Sequence, residues 1–395
     1  MNGNLRNKIL MSLARLLDEN RAEIVKANRV DFGTCPPDDA VRLDRLKVGD
    51  AKVDAMIASV KSVIAVPDPT GKVISSQTRE DGLRIENRQV PFGTILIIYE
   101  ARPDVSIEAA IIALKAGNRI LLKGGKEARN TNLLLADLWR QALAENGADT
   151  NFVRYLDISR EETQDLICGK AEKFDLVIPR GGETLIDFVV KNSTAPVLVS
   201  GRGNNFLFID TEADFDVALA IALNGKQRLS VCNALDKILI HKGLPERAAK
   251  TTRLIAALQE IDIEVFGDDD VCSIDRSVLP IADESVWYEE FLAAKIVVGI
   301  VESRDEAIAK INKYSGGHSA AIVTENKESA RRFMEDVDCA AVYHNASVRF
   351  TDGGQFGLGA EIAISTQKLH FRGPLGAEHL LTNKWFVFGD GQIRN

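Results

Sequence analysis

The run Pro91-Phe92-Gly93-Thr94-Ile95-Leu96-Ile97-Ile98-Tyr99 decides the fold. From Thr94 onward it is almost wholly apolar, with no polar alternation. A run of that length reads as a strand buried on both faces, the mark of a parallel sheet. A helix is expected over 106–115, closed by Ala116-Gly117-Asn118. Arg119-Ile120-Leu121-Leu122-Lys123 is the next buried strand, Gly124-Gly125 a tight turn, and 130–145 a second helix. Strand 152–156, helix 160–169 and strand Leu176-Val177-Ile178-Pro179 repeat the alternation. Successive strand–helix units of this length predict a doubly wound parallel sheet. Such sheets take nucleotides at the carboxyl ends of their strands.

Working outward, Leu5, Ile9, Leu10, Leu13, Leu16, Leu17 and Ile24 recur at helical spacing, and a further helix fits 51–64, stopped by Pro67-Asp68-Pro69-Thr70-Gly71. Residues 72–89 turn extended, and Arg84-Ile85-Glu86-Asn87-Arg88-Gln89-Val90 alternates, which suits a projecting hairpin with one wet face. Past the first alternation, short strands are expected at 196–199 and 206–210, with Thr211 and Asp214 as a capping box opening a helix to 224. After strand 237–241 comes a second alternation: helix 246–259, strands 263–266 and 295–300, helix 303–313, strand 320–324, helix 327–334 and strand 340–344. That is a second α/β domain. Thr351–Gly359 reads as a glycine-rich loop. Trp385-Phe386-Val387-Phe388 is an aromatic strand with nothing of its own to pack on, and the projecting hairpin is its candidate partner.

Length and composition narrow the function. A chain of 395 residues holds two or three domains, and 45 % apolar with 27 % charged residues is ordinary for a soluble globular protein. A net charge of −8 with both signs interspersed argues against nucleic acid or an anionic membrane as the partner. No apolar run is long enough to span a bilayer, and the amphipathic N-terminal stretch shows no secretory signal. Cys35, Cys168, Cys232, Cys272 and Cys339 are odd in number and never paired as C-x-x-C, so they read as reduced thiols in a cytoplasmic protein. The five histidines are too dispersed for a metal site.

Chemistry is expected at Gln227-Arg228-Leu229-Ser230-Val231-Cys232-Asn233-Ala234-Leu235-Asp236, between a helix and a strand. Cys232 there is flanked by small and polar residues. It is either a nucleophile or, as cysteines commonly are, a small buried hydrophobe. Three glycine turns follow strands: Lys123-Gly124-Gly125-Lys126, Pro179-Arg180-Gly181-Gly182 and Ser200-Gly201-Arg202-Gly203. None is G-x-G-x-x-G opening a helix, nor a P-loop, and a strand-to-helix turn wants glycine anyway. Together they place backbone N–H groups with Lys123, Lys126 and Arg180 near one sheet edge, which suits a pyrophosphate and an additional phosphate. His318 sits in Tyr314-Ser315-Gly316-Gly317-His318-Ser319, a flexible polar turn, where it either touches substrate or is merely solvated. Glu289-Glu290 is either a carboxylate site or a solvated helix end.

At Val90-Pro91-Phe92-Gly93-Thr94-Ile95-Leu96-Ile97-Ile98-Tyr99-Glu100-Ala101-Arg102-Pro103 the chain resembles the gamma-glutamyl phosphate reductases (glutamate-5-semialdehyde dehydrogenases), a branch of the aldehyde dehydrogenase superfamily. The resemblance recurs at Val177-Ile178-Pro179-Arg180-Gly181-Gly182, Ser230-Val231-Cys232-Asn233-Ala234-Leu235 and Asn345-Ala346-Ser347. Its most specific stretch is Arg349-Phe350-Thr351-Asp352-Gly353-Gly354-Gln355-Phe356-Gly357-Leu358-Gly359-Ala360-Glu361-Ile362. The motifs keep the family's order along essentially the whole chain.

The resemblance implies an α/β, aldehyde-dehydrogenase-like architecture: two doubly wound parallel-sheet domains plus a small projecting β oligomerisation element. The dinucleotide-binding domain would be 1–68 and 92–226 with a return at 357–378, the catalytic domain 227–356, and the β element 69–91 and 379–395. It implies NADPH-dependent reduction of L-glutamyl 5-phosphate to L-glutamate 5-semialdehyde, the second step of proline biosynthesis. The route is a thioester on Cys232, with NADP(H) as cofactor. Lys123 would lie on the adenosine ribose, and Lys126 would favour a 2′-phosphate. Gly181 and Gly182 would let the pyrophosphate approach, and Glu290 would hold the nicotinamide ribose. Arg102, His318, Asn345 and Arg349 are the candidates for the substrate's phosphate and amino-acid ends. A cytoplasmic homo-oligomer is implied, with glutamate 5-kinase as a candidate partner.

Three departures stand out. Asn224-Gly225-Lys226-Gln227-Arg228-Leu229 is a residue shorter than the family's pattern and has Leu for Pro. Gly203-Asn204-Asn205-Phe206 replaces a usual Gly-x-Cys-His. Val199 stands where hydrolytic aldehyde dehydrogenases place a general-base Glu, which favours reduction over hydrolysis. The alternatives are a hydrolytic NAD(P) aldehyde dehydrogenase and a nucleotide-binding homologue with impaired catalysis.

Overall fold

The computed structural model describes residues 1–36 and 39–394. Pro37 and Asp38, within the expected 1–68 segment, and Asn395, the last residue of the expected β element, lie outside the described residues. The chain forms two compact units. The first is Met1–Val199 with Gly357–Ala363 and Leu375–Asn395, and the second is Ser200–Phe356 with Ile364–Pro374.

The first unit opens with helices α1 (Gly3–Glu19), α2 (Arg21–Gly33), α3 (Ala40–Leu46) and α4 (Asp50–Ala65). Its hairpin is β1 (Val73–Thr78) and β2 (Arg84–Pro91). The alternation then runs β3 (Thr94–Tyr99), α5 (Val105–Lys115), β4 (Arg119–Lys123), α6 (Arg129–Glu145), β5 (Val153–Tyr155), α7 (Arg160–Ile167), β6 (Leu176–Arg180) and α8 (Glu183–Asn192). Strands β5-β4-β3-β6 form a parallel sheet in that order. Ile95 to Tyr99 of β3 are all buried, as a central strand covered on both faces requires. The caps follow local chemistry. Ser159 and Glu162 form a capping box on α7. The buried Asp31 carboxylate takes the N–H groups of Asn130 and Thr131 at the start of α6.

The tail strand Leu381–Phe388 pairs antiparallel with β2, so the hairpin and the tail make one three-stranded sheet. Buried Asn118 ties this arrangement to β3. It accepts from the Gly93 N–H (2.9 Å) and donates to the Leu380 carbonyl (2.8 Å). Trp385, Val387 and Phe388 remain exposed on the tail strand.

The second unit carries β7 (Asn205–Ile209), α9 (Phe215–Gly225), β8 (Leu235–His241), α10 (Arg247–Gln259), β9 (Glu264–Gly267), α11 (Asp269–Ile274), β10 (Leu279–Pro280), β11 (Lys295–Val301), α12 (Arg304–Tyr314), β12 (Ser319–Val323), α13 (Lys327–Asp336) and β13 (Ala341–His344). Its sheet has seven strands in the order β10-β9-β11-β8-β7-β12-β13, all parallel. Apolar clusters cover both faces, with Leu207, Ile238 and Val298 on one and Phe206, Leu239 and Val297 on the other.

The boundary between the units falls at 199/200, not at the expected 226/227, because β7 sits inside the second sheet between β8 and β12. The return segment is shared: 357–363 lies in the first unit and 364–374 in the second. Two local expectations are corrected. Asp214, not Thr211, caps α9, accepting from the N–H groups of Asp216 and Val217, while the Thr211 N–H is taken by Asp210. Residues 196–199 make a single bridge to Val177 instead of a strand, since Pro196 has no N–H to extend a ladder.

Candidate active site

In the first unit, the order β5-β4-β3-β6 puts a topological switch point between β3 and β6, and the carboxyl ends of β4 and β6 carry two of the three expected glycine turns, while the third, at 200–203, lies in the second unit. Gly182 opens α8, and its N–H donates to the Glu100 carboxylate at 3.1 Å. A helix N-terminus that already holds one anionic oxygen offers the donor and dipole a phosphate needs. A Cβ on Gly182 would meet nothing within 4 Å, so the backbone is open there. A Cβ on Gly181 would lie 2.8 Å from the Glu100 carboxyl carbon and 2.9 Å from Leu185, so a side chain there would displace the ends of those two side chains. With the Glu100 side chain turned away, the Gly182 N–H could take one oxygen of a dinucleotide's pyrophosphate.

The cations divide. Lys123 is half-buried, donates to the Gly124 carbonyl (2.7 Å), and is held below the usual lysine range by burial. Arg180 donates from one Nη to the Ile362 carbonyl, which leaves its other N–H groups outside that bond. Lys126 is exposed. Arg102 lies in the loop between β3 and α5, where its carbonyl accepts from the Val105 N–H (3.1 Å).

In the second unit, Cys232 is half-buried in the loop between α9 and β8. Both ends of this loop are clamped. Lys226, just past α9, and Asp236, at the start of β8, form a buried ion pair at 3.1 Å, with side chains 1 % and 2 % exposed. Burial holds Lys226 below the usual lysine range against the pull of Asp236. Inside the loop, Leu229 packs against the core. The segment that is shorter and has Leu for Pro is therefore anchored by packing and by charge.

The clamp extends to Glu290. The other Asp236 oxygen accepts from the Phe291 N–H (3.0 Å), and Lys237 donates to the Glu289 carbonyl (2.8 Å) while lying 4.0 Å from the Phe291 ring. Burial pushes Lys237 down to about 8. Glu290 thus stands between two backbone groups fixed by the strand that follows the cysteine loop, not on a solvated helix end.

Asn233, next to the cysteine, donates to the carbonyls of Arg349 and Thr351, both at 3.0 Å, and accepts from the Arg349 guanidinium. Arg349 is brought beside Cys232. Burial and the facing Arg228 lower its pKa, and the cysteine sulfur opposes them. Asn345 lies past the carboxyl end of β13, with a left-handed backbone (φ 51°) and its amide bonded to Thr324 and Glu325. It holds a turn at the far edge of the sheet from the cysteine loop, which precedes β8.

His318 is the largest correction. It follows the turn at Gly316-Gly317 but is fully buried, not solvated. Its Nδ1 lies 2.8 Å from Asn205 Oδ1, and burial pushes its pKa down to about 4. Asn205 in turn donates to the carbonyls of Cys232 and Ala234, both at 2.7 Å. Gly203 packs its Cα against the Cys232 backbone so closely that a Cβ would sit 1.9 Å from the Cys232 carbonyl oxygen. Sequence reasoning quoted Asn205, Gly203, Asn233, Lys226 and Asp236 within its motifs but gave none of their side chains a role. A glycine and two asparagines before an apolar strand were a readable signal. The pairing of Lys226 with Asp236 was not.

The comparisons with known proteins agree along the whole chain. Residues 1–271 and 280–359 match the aldehyde dehydrogenase family, and the chain belongs to it. The gamma-glutamyl phosphate reductase of Dictyoglomus thermophilum is 40 % identical over 397 residues, covering 100 % of this chain and 95 % of that protein. That of Thermotoga maritima is 43 % identical over 392 residues, covering 98 % and 94 %. A crystal structure of gamma-glutamyl phosphate reductase from Thermotoga maritima superposes with a TM-score of 0.91 at 42 % identity, over 100 % of this chain and 95 % of that one. Within the aldehyde dehydrogenases, the chain falls among the gamma-glutamyl phosphate reductases, which are oxidoreductases of a nicotinamide cofactor.

Proposed function

We propose that this protein reduces L-glutamyl 5-phosphate to L-glutamate 5-semialdehyde and phosphate with NADPH, as the second step of proline biosynthesis. The observation that carries the reading is the Cys232 loop itself: a thiol held at both ends by the buried Lys226–Asp236 pair, with the Arg349 guanidinium beside it. A cation next to the sulfur favours the thiolate, which is the attacking form.

The Cys232 thiolate attacks the acyl carbon, the C–O bond to phosphate breaks, and a thioester remains on the sulfur. NADPH, when bound, supplies the hydride. The thioester becomes a thiohemiacetal anion, which expels the Cys232 thiolate and releases the aldehyde. Arg349 is the cation for the departing phosphate, and Arg102 is a candidate for the substrate's acidic ends. His318 acts from behind, through Asn205, and Asn345 through the Thr324 turn. Lys123 and Glu290 hold the two riboses, Gly181 and Gly182 the pyrophosphate. The exposed Lys126 takes the 2′-phosphate that distinguishes NADPH. Val199 leaves the hydrolytic base position without a carboxylate. The three-stranded sheet, with Trp385, Val387 and Phe388 exposed on an edge strand, is the element by which copies of the chain associate. Glutamate 5-kinase is the candidate neighbour that makes the labile acyl phosphate, and the cytoplasm, where thiols stay reduced, is the compartment.

The test runs the reaction in reverse with glutamate semialdehyde, phosphate, and either NADP or NAD. Phosphate-dependent reduction of NADP in preference to NAD is expected, and Cys232→Ser abolishes it. Phosphate-independent turnover would instead identify a hydrolytic aldehyde dehydrogenase, and no turnover an impaired homologue.

A further inference from the structure

We propose that Asn205 is a positioning residue for Cys232: its side-chain amide fixes the peptide groups on which the nucleophile is mounted. The proposal rests on the reading of Cys232 as the nucleophile.

Asn205 opens β7 and is fully buried. Its Nδ2 lies 2.8 Å from the Gly203 carbonyl oxygen and 2.7 Å from those of Cys232 and Ala234. Three carbonyl oxygens only accept, so they decide which end of the amide is nitrogen. Oδ1 then faces Ser319 Oγ at 2.5 Å and His318 Nδ1 at 2.8 Å, and both of those groups must donate. His318 therefore carries its proton on Nδ1, and the ring stays neutral across the working pH range of an ordinary protein because its charged form would be buried. Ser319 and His318 are placed for this by the register of β12 on β7, which pairs Ala320 with Phe206.

The consequence reaches the sulfur. Two of the three accepting carbonyls, those of Cys232 and Ala234, bracket Asn233, and Asn233 is itself tied to Arg349 and Thr351. Neither peptide group can rotate without giving up a buried hydrogen bond, and an unpaired buried carbonyl is costly. The direction of the Cys232 Cα–Cβ bond is thereby set by Asn205. In the pattern Gly-x-Cys-His expected at 203–206, a thiol would stand here. A thiol is a weak donor and cannot serve two carbonyls. In this chain the amide takes over the seating of the loop.

The experiment compares wild type with Asn205→Ala and Cys232→Ser. It measures kcat and KM for glutamate semialdehyde, with kcat normalised to the Cys232 thiols that react with iodoacetamide. Asn205→Ala is expected to lower kcat per reactive thiol by roughly 100-fold, the usual cost of a misplacement near 1 Å, while KM holds. A purely structural role would reduce the number of reactive thiols and leave the rate per thiol unchanged, and that result overturns the proposal. Ser319→Ala, which removes one of the two donors that aim the amide, serves if Asn205→Ala does not fold. A several-fold fall in kcat per thiol is expected there, and no change overturns the proposal. Activity retained in Cys232→Ser would instead refute the nucleophile assignment, a separate outcome.

Discussion

Alanine at Gly203 tests how tightly the cysteine loop is seated. Gly203 does not have a positive φ, so alanine meets no backbone penalty and its whole effect is contact. The added Cβ would lie 1.9 Å from the Cys232 carbonyl oxygen, 2.6 Å from its carbonyl carbon and 2.7 Å from its Cα, whereas ordinary contact starts at 3.4 Å. All three are backbone atoms, so no flexible side chain can swing away. One of the two segments must shift by about 1.5 Å, the gap between 1.9 and 3.4 Å. Overpacking of this kind costs about 1–3 kcal/mol. A nucleophile displaced by an ångström or more loses about 100-fold in rate, or about 2.7 kcal/mol of barrier. The assay pairs steady-state kinetics in the reverse direction with urea unfolding. Gly203→Ala should lose both stability and kcat, with the kcat loss persisting at temperatures where the variant is fully folded. A variant with wild-type kcat and an unshifted unfolding midpoint would refute the contact geometry on which the seating argument depends.

Two other predictions follow from buried charge. The folded-state pKa of His318 is pushed down to about 4, below its ordinary value of 6.5, so the unfolded chain binds this proton more readily than the folded one. The stability it contributes is complete above pH 6.5 and falls as pH drops toward 4, by about 3 kcal/mol in all. Urea unfolding of wild type and His318→Gln between pH 4 and 7 should give a shallower dependence in the variant; parallel curves would refute the prediction. Lys226→Met leaves Asp236 buried without its cation and should cost about 3–5 kcal/mol, most of it restored by Lys226→Met with Asp236→Leu. A single variant within about 1 kcal/mol of wild type would show that the pair does not clamp the loop.

The βαβ order was legible because buried parallel strands are written as uninterrupted apolar runs. Thr94–Tyr99 and Arg119–Lys123 fall where their composition puts them. The pairing of the aromatic tail with the hairpin was also legible, since Trp385-Phe386-Val387-Phe388 had no other apolar surface near it in sequence. The unit boundary was not. Strand β7 has the same composition whether it ends one sheet or joins the next, and only its long-range partners decide. His318 was misread for a related reason. Gly316-Gly317 before it and Ser319 after it look like an exposed turn, but the residue directly precedes a buried strand, and its Nδ1 faces the Asn205 amide oxygen. Polar residues around the Cys232 loop look like loop composition until their partners, more than 100 positions away, are known.

The tail strand has a consequence for how the chain is made. Phe386 pairs with Glu86, so the outer sheet of the first unit joins residues about 300 positions apart. At roughly 5–20 residues per second on the ribosome, strand β2 waits roughly 15–60 s for its neighbour. During that interval residues 200–356, which supply all seven strands of the second sheet, emerge and can close on themselves. Synthesis therefore favours a nascent chain whose seven-stranded sheet closes before the tail strand arrives, while an unpaired strand edge stays open on the first unit. That open edge is the surface a chaperone would have to shield.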